Sequence, residues 1–139
     1  MAHYLNSLEA LNTSNERIRD LIQGKYKEQL PPTGTFLWVD VRDAALAHVR
    51  AIEVPEAGGN RFFVTAGYYS NKEIADVIRE THPEFASKLP GDNVPSDFPK
   101  DVYGYSNKKS VEILGIKYHS LKQSISDTVD TLLAVGVGK

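Results

Sequence analysis

Apolar and polar positions along this chain follow two rhythms, one helical and one that of short apolar runs. Leu8, Leu11, Ile18, Leu21 and Ile22 recur near helical spacing, and Gly24 is placed to end that helix. Thr13-Ser14-Asn15-Glu16 fits a capping box, so the main helix is expected to begin near Ser14. Pro31-Pro32-Thr33-Gly34 breaks the pattern, and the wholly apolar, β-prone run Phe36-Leu37-Trp38-Val39 predicts a buried strand. Asp40 can cap the helix that follows, with Asp43 in its first turn near the positive end of the dipole. Val41, Ala44, Ala45, His48, Val49 and Ile52 form a stripe on that helix, and its small alanines predict close packing against a sheet. Pro55 and Gly58-Gly59-Asn60 close the unit, and Arg61-Phe62-Phe63-Val64-Thr65-Ala66 predicts a second strand ending at Gly67.

Ser70-Asn71-Lys72-Glu73 is a second capping box, opening a helix through Ile74, Val77 and Ile78 that stops before Pro83. Residues 83–101 hold Pro83, Pro90, Pro95 and Pro99 with few apolar anchors, and predict a long surface loop with a functional or docking role. Val102 to Tyr105 predicts a short strand, and Asn107 to Leu114 a short helix ended by Gly115. Ser120-Leu121-Lys122-Gln123 leads a final helix with Leu121, Ile125, Val129 and Leu132 on one face. The layout is therefore α/β or α+β, with about five helices and two or three short strands. So few strands make a poor sheet, and the chain is expected to have its sheet completed from elsewhere.

At 139 residues the chain is one domain of ordinary size, with 41% hydrophobic and 24% charged residues. A net charge of −2 gives no basic field for nucleic acid or an anionic membrane. No cysteine is present, which excludes disulfides and thiolate chemistry. No apolar run approaches the roughly 18 residues of a membrane span, and the N-terminus has no signal-peptide core. The expectation is a cytoplasmic protein with no nucleic-acid or membrane partner, open to self-association through an exposed sheet edge.

Candidate chemistry is sparse. Tyr105 and Lys109 stand in a Tyr-x-x-x-Lys spacing, which in a reductase marks the proton donor and its lysine. Ser106 or Asn107 is placed to cap the helix, however, so Tyr105 falls before it on the strand and shares no helical face with Lys109. His48 lies on an apolar stripe and reads as a buried histidine bonded to a backbone carbonyl, while His3, His82 and His119 show no metal-ligand spacing. Asp40 and Asp43 are explained by capping and the helix dipole rather than metal ligation. Gly136-Val137-Gly138-Lys139 carries a fragment of a phosphate-loop pattern but reads as a frayed tail. Asn12-Thr13-Ser14 flank a helix N-terminus, where free N–H groups and the dipole favour an anion, although from sequence alone ordinary capping is the commoner explanation.

Four segments taken together carry a resemblance: His3 to Ser14, Phe36 to His48, Asn60 to Gly67, and the Ser-Asn-Lys-Lys-Ser-Val-Glu-Ile-Leu-Gly run over residues 106–115. In this order they are similar to the C-terminal half of extended short-chain dehydrogenase/reductases, nearest the dihydroflavonol-reductase-like branch that includes fungal NADPH-dependent methylglyoxal and ketone reductases. The resemblance implies a substrate-binding lobe over residues 1–139, an incomplete Rossmann-type domain, with NADP(H) and a small carbonyl substrate held by the intact enzyme. It places the catalytic serine, Tyr-x-x-x-Lys pair and glycine-rich loop in an N-terminal part outside this chain, so Tyr105 and Lys109 are not the catalytic pair. No catalytic residue is expected here, and the chain alone is expected to bind no cofactor and turn nothing over. Ser14, with Thr13 and Asn12, is implied at the cofactor, His3 and Tyr4 at the pocket edge, and residues 83–101 as a wall or lid. Asp40 is implied to hold the strand-to-helix turn, and Arg61 to Ala66 to be an edge strand of the parent sheet. Two other readings stand beside this one: a binding or dimerisation module, and the lobe of an epimerase or dehydratase.

Overall fold

The structure is a computed structural model, and it describes residues 11–137. In chain order its elements are α1 (Thr13–Ile22), β1 (Leu37–Trp38), α2 (Val41–Glu53), a 3₁₀ turn (Pro55–Ala57) and β2 (Gly67–Tyr68). Then come α3 (Asn71–Thr81), a 3₁₀ helix (Pro83–Lys88), α4 (Lys108–Glu112) and α5 (Leu121–Ala134). The mixed helix-and-strand class and the five α-helices agree with the sequence pattern. Leu8, assigned to the first helix from its spacing, lies outside the described residues.

The main core is built by α1, α3 and α5. Ile18, Leu21 and Ile22 meet Ile74 and Ile78, and α5 adds Ile125, Val129 and Leu132, each at most 2% exposed. Burying each such side chain stabilises the fold by roughly 1.5–3 kcal/mol. The α5 face follows the spacing of its apolar residues. The helix starts also obey local chemistry: Ser70 accepts the Glu73 N–H and Ser120 the Gln123 N–H. At α1 the cap sits earlier than the capping-box pattern suggests. Asn12 accepts the Asn15 N–H at 3.0 Å, so Thr13 and Ser14 are the first helical residues. Gly24 closes α1 with φ +84°, a left-handed turn that a side chain would strain.

Several expectations are corrected. The predicted strand at 36–39 pairs only over Leu37–Trp38. Its partner is Gly67–Tyr68, antiparallel, with Leu37 opposite Tyr68 and Trp38 opposite Gly67. Arg61 to Ala66 is therefore not a strand here, and Val102 to Tyr105 is none either. The stretch from 83 opens as a 3₁₀ helix whose Phe85, with Leu89 just beyond it, is buried in the main core, so it is anchored at its start. Val137 packs into the same core, which makes the C-terminal residues up to that point docked rather than frayed; Gly138 and Lys139 lie outside the described residues.

The stripe on α2 is the largest departure. Its core-facing positions are Asp43 and Ala47, whereas Val49 is 49% and Ile52 88% exposed, and Ala45 and His48 are exposed as well. Ala47 joins Ala57, Leu114 and Ile116 in a second, smaller cluster, with Phe62, Val64 and Tyr118 against it. Two buried carboxylates tie this cluster to the first. Asp40 caps α2 through the Arg42 N–H and receives the Arg42 guanidinium at 2.9 Å, and Arg42 continues to Asp127 on α5 at 2.8 Å. The hydrogen bond it donates to Asp40 outweighs burial and holds the Arg42 guanidinium above its ordinary value, so this link stays ionised. Asp43, 1% exposed, accepts the His119 N–H at 2.9 Å while His119 Nδ1 lies 2.6 Å from its other oxygen.

Two stability outcomes follow. Asp43→Ala leaves the His119 donors without their acceptor and should cost about 1–3 kcal/mol in urea unfolding, with Ser14→Ala as a near-silent control. Asp20 differs: burial pushes its carboxyl up, but hydrogen bonds from Lys25 and Arg19 prevail and lower it below its ordinary 3.8. A lowered folded value means the contribution is fully present above about pH 4 and disappears as pH falls through the folded value. Asp20→Asn should therefore be less stable than the parent at pH 6, with the gap narrowing as the pH is lowered below about 4 in a pH series of thermal melts.

Candidate functional site

A cavity of about 380 Å³ opens between the first turn of α1 and the β1–β2 ribbon. Thr13, Ser14 and Arg17 form one wall, Thr33 and Thr35 the rim, and Leu37, Val39, Tyr69 and Ile74 the apolar side, with Trp38 also lining it. Local sequence makes it. Asn12 starts α1 so that residues 13, 14 and 17 look the same way at helical spacing. On the other side stand Leu37 of β1, Val39 just past its end, and Tyr69 just past β2.

The floor is set by a polar network. Arg17 Nη1 donates to the Asn71 side-chain oxygen at 3.1 Å and to the Thr33 carbonyl at 3.3 Å. Asn71, 1% exposed, donates its backbone N–H to Thr33 Oγ1 and its side-chain amide to the Pro31 carbonyl. Thr33 then donates both its N–H and its hydroxyl to Asp97, each at 2.6 Å. The Pro-Pro break, the start of α3 and the long loop are thus fixed to α1 through one guanidinium. Charge-assisted hydrogen bonds of this kind are stronger than neutral ones, so the pocket floor is preset.

The walls, in contrast, keep free polar groups. Among the described residues the hydroxyls of Thr13, Ser14, Thr35 and Tyr69 make no hydrogen bond. Burial raises the Tyr69 hydroxyl above its ordinary value, with the nearby Arg17 charge opposing it, so Tyr69 stays protonated at neutral pH and can donate. A cation, four hydroxyls and the positive end of α1 against an apolar wall suit a ligand with an oxygen-rich, anionic part and a flatter apolar part.

The site residues named from sequence divide. Thr13 and Ser14 line the cavity; Asn12 does not, because its side chain caps α1. His3 and Tyr4 lie outside the described residues. Arg17 and Tyr69 were missed: no motif marks them, although Arg17 stands one helical turn from Ser14, which would have been a usable signal. Tyr105 and Lys109 do not converge. The Tyr105 ring stacks edge-on with Tyr68, centroids 4.9 Å apart, while Lys109 Nζ donates to Asn60 Oδ1 at 3.1 Å. Asn107 begins α4 with no side-chain cap bond and spends its amide on the Thr65 carbonyl. His48 Nδ1 lies 2.6 Å from the Ala44 carbonyl, as the sequence suggested, but the residue is exposed and not buried. Asp40 and Asp43 point to separate partners and form no carboxylate pair. Residues 83–101 contribute no lining residue to this cavity; Asp97 reaches it only through Thr33.

No family model matches the chain. Individual proteins do. It is 48% identical over 131 residues to the ketoreductase azaE of Aspergillus niger, covering 94% of this chain and 39% of that protein. It is 31% identical over 126 residues to the NADPH-dependent methylglyoxal reductase GRE2 of Saccharomyces cerevisiae, covering 88% of this chain and 36% of that protein. The crystal structure of Candida albicans Gre2 in complex with NADPH matches with a TM-score of 0.82 at 30% identity, over 94% of this chain and 39% of that one. Along almost its whole length the chain is similar to one part of these reductases, as a fragment of an extended short-chain dehydrogenase/reductase is. It spans somewhat over a third of the length of the relatives it matches. Within this reductase family the two-stranded ribbon and its helices correspond to part of a Rossmann-type fold. No helix among the described residues is long and apolar enough to cross a membrane.

The two classes of residue at α1 separate in a simple experiment. Asn12→Ala removes a cap and should lower stability by about 1 kcal/mol in denaturant unfolding. Thr13→Ala and Ser14→Ala, at exposed and unbonded side chains, should change it by less than about 0.5 kcal/mol.

Proposed function

We propose that this chain is the substrate-side lobe of an NADPH-dependent reductase acting on a small aldehyde or ketone. The observation that carries this is the cavity itself, with free hydroxyls and a fixed guanidinium on one wall and an apolar surface on the other. It occurs in a chain nearly half identical to a ketoreductase along almost its whole length. NADPH fits the donors present. Ser14 and Thr13 at the start of α1, with Arg17 behind them, would hold an anionic or ribose portion, and Leu37, Val39 and Ile74 would face flat apolar surface. When bound, NADPH supplies the hydride for carbonyl reduction. The chain's own residues would orient the cofactor and substrate and exclude water between them.

The sequence holds no Gly-x-Gly-x-x-Gly loop and no Tyr-x-x-x-Lys pair with both members on one helix. The lobe alone therefore binds NADPH weakly or not at all and performs no reduction. A cytoplasmic, reducing location agrees with a chain free of cysteine. Exposed Val49 and Ile52 favour a second reading, a module that associates through α2.

A chimera tests the first reading. This chain would replace the matching region of the Saccharomyces methylglyoxal reductase, and NADPH consumption with methylglyoxal would be followed. The chimera is expected to reduce the aldehyde and the isolated chain is not. Ser14→Ala in the chimera should raise KM for NADPH severalfold with a smaller change in kcat. Turnover by the isolated chain, or a folded chimera with no NADPH affinity, would overturn the proposal.

A further inference from the structure

A second cavity, of about 420 Å³, lies between the loop after α1 and the loop after α3. Leu30, Pro31 and Pro32 line it from the first loop, Val94 and Pro95 from the second. Proline keeps the two loops apart: its ring fixes the backbone and it has no N–H, so these stretches are poor ladder partners for each other. They are held at fixed points instead. Asn71 donates its side-chain amide to the Pro31 carbonyl at 2.8 Å, and Thr33 donates its N–H and hydroxyl to Asp97 at 2.6 Å each. The Val94 N–H turns back to the Gly91 carbonyl at 3.1 Å. The groove is therefore a preset gap with apolar walls.

Its charge is one-sided. Glu28 and Asp97 also line the groove, and no lysine, arginine or histidine does. Among the described residues Glu28 makes no hydrogen bond or ion pair. Asp97 is hydrogen-bonded only to Thr33, whose two donors leave carboxylate lone pairs unused. The first cavity is the reverse, with the Arg17 guanidinium in its floor. We propose that the second groove binds a small organic ammonium ion, its apolar body between Leu30, Val94 and the proline rings and its N–H groups on Glu28 and Asp97. An anion would meet two carboxylates with no cation to offset them, and a neutral ligand would cover these charges without pairing them. The volume falls within the range of small-molecule sites, about 300–1,000 Å³, and so favours a free amine over a segment of a partner protein. This site does not depend on the reductase reading. It does touch the first cavity: Thr33, the partner of Asp97, rims that cavity, so a cation drawn to Asp97 pulls on the Thr33 bonds.

Titration of 2-phenylethylammonium chloride into the isotope-labelled chain, followed by NMR, tests this. The Leu30 and Val94 methyls and the Thr33 amide should shift together and saturate, with a Kd on the order of 1 mM. 2-Phenylethanol, which keeps the shape without the charge, should bind at least about fivefold more weakly, and 3-phenylpropionate should not bind measurably. Glu28→Gln, at an exposed and unbonded side chain, should leave the melting temperature unchanged. It should weaken the ammonium ion about threefold and leave the alcohol as it was, and raising the salt to about 0.5 M should weaken the ammonium ion as well. No saturating shift at Leu30 and Val94, propionate binding equal to that of the ammonium ion, or indifference to Glu28→Gln or to salt overturns the proposal. So does a Thr33 amide that stays still, since Asp97 would then lie outside the head-group site. Shifts centred on Ser14 and Tyr69 would put the amine in the first cavity and overturn it too. Acetyl-Phe-Lys-amide binding more than about tenfold tighter than the free amine would make the occupant a protein side chain and overturn the assignment to a small molecule.

Discussion

The whole arrangement depends on two carboxylates that water does not reach. Asp40 is fully buried and Asp43 nearly so, both at the start of α2; Asp40 holds Arg42, which reaches on to Asp127 of α5, and Asp43 accepts the N–H of His119, 76 positions away. Without them the fold would be two apolar clusters with little between them: one of α1, α3 and α5, the other around Ala47 and Leu114. Burying a carboxylate costs several kcal/mol unless its lone pairs are filled, so these groups either have their partners in place or the local structure opens. That gives the joint directional precision which apolar contact does not provide. Asp40 is also the residue that immediately follows the strand side of the cavity, so the joint fixes where Leu37 and Val39 stand.

The cavity shows the same division of labour at smaller scale. Arg17, Asn71, Thr33 and Asp97 satisfy one another and set the floor, leaving the hydroxyls of Ser14, Thr13 and Tyr69 uncommitted above it. A site whose supporting groups are bonded and whose lining groups are free suffers little rearrangement when a ligand arrives. Asp97 sits on an exposed loop, so the loop after α3 acts on the pocket through Thr33 rather than by covering it.

The sequence disclosed what short-range physics decides. Caps at Asp40, Ser70 and Ser120, the left-handed Gly24, and the buried face of α5 all follow from the identity of residues within one or two turns. What it hid depends on pairing across distance. The run at 61–66 has the composition of a strand, but a ladder needs a partner, and the partner found for β1 is Gly67–Tyr68, which starts at the glycine where the run was expected to end. On α2 the period of the apolar stripe was legible and its direction was not, because the opposite face is buried by Asp43 bonding to His119, a contact between residues 76 positions apart. Arg17 escaped for the same reason: its meaning lies in Asn71 and Thr33, distant in sequence. Ser14 was legible because a helix terminus is local.

The misread stripe and the missing strand are one fact seen twice. Periodicity reports which faces a sequence is composed to bury, and it does so without regard to how much of the fold is present. On α2 that face is exposed, with Val49 at 49% and Ile52 at 88%. Thr65, within the run at 61–66, donates its hydroxyl to the Trp38 carbonyl, and Ala66 donates its N–H to the same oxygen at 2.8 Å. Trp38 lines the cavity. The segment that leads into β2 is thus bonded directly to a residue of the pocket wall, so a shift in that segment is felt at the site.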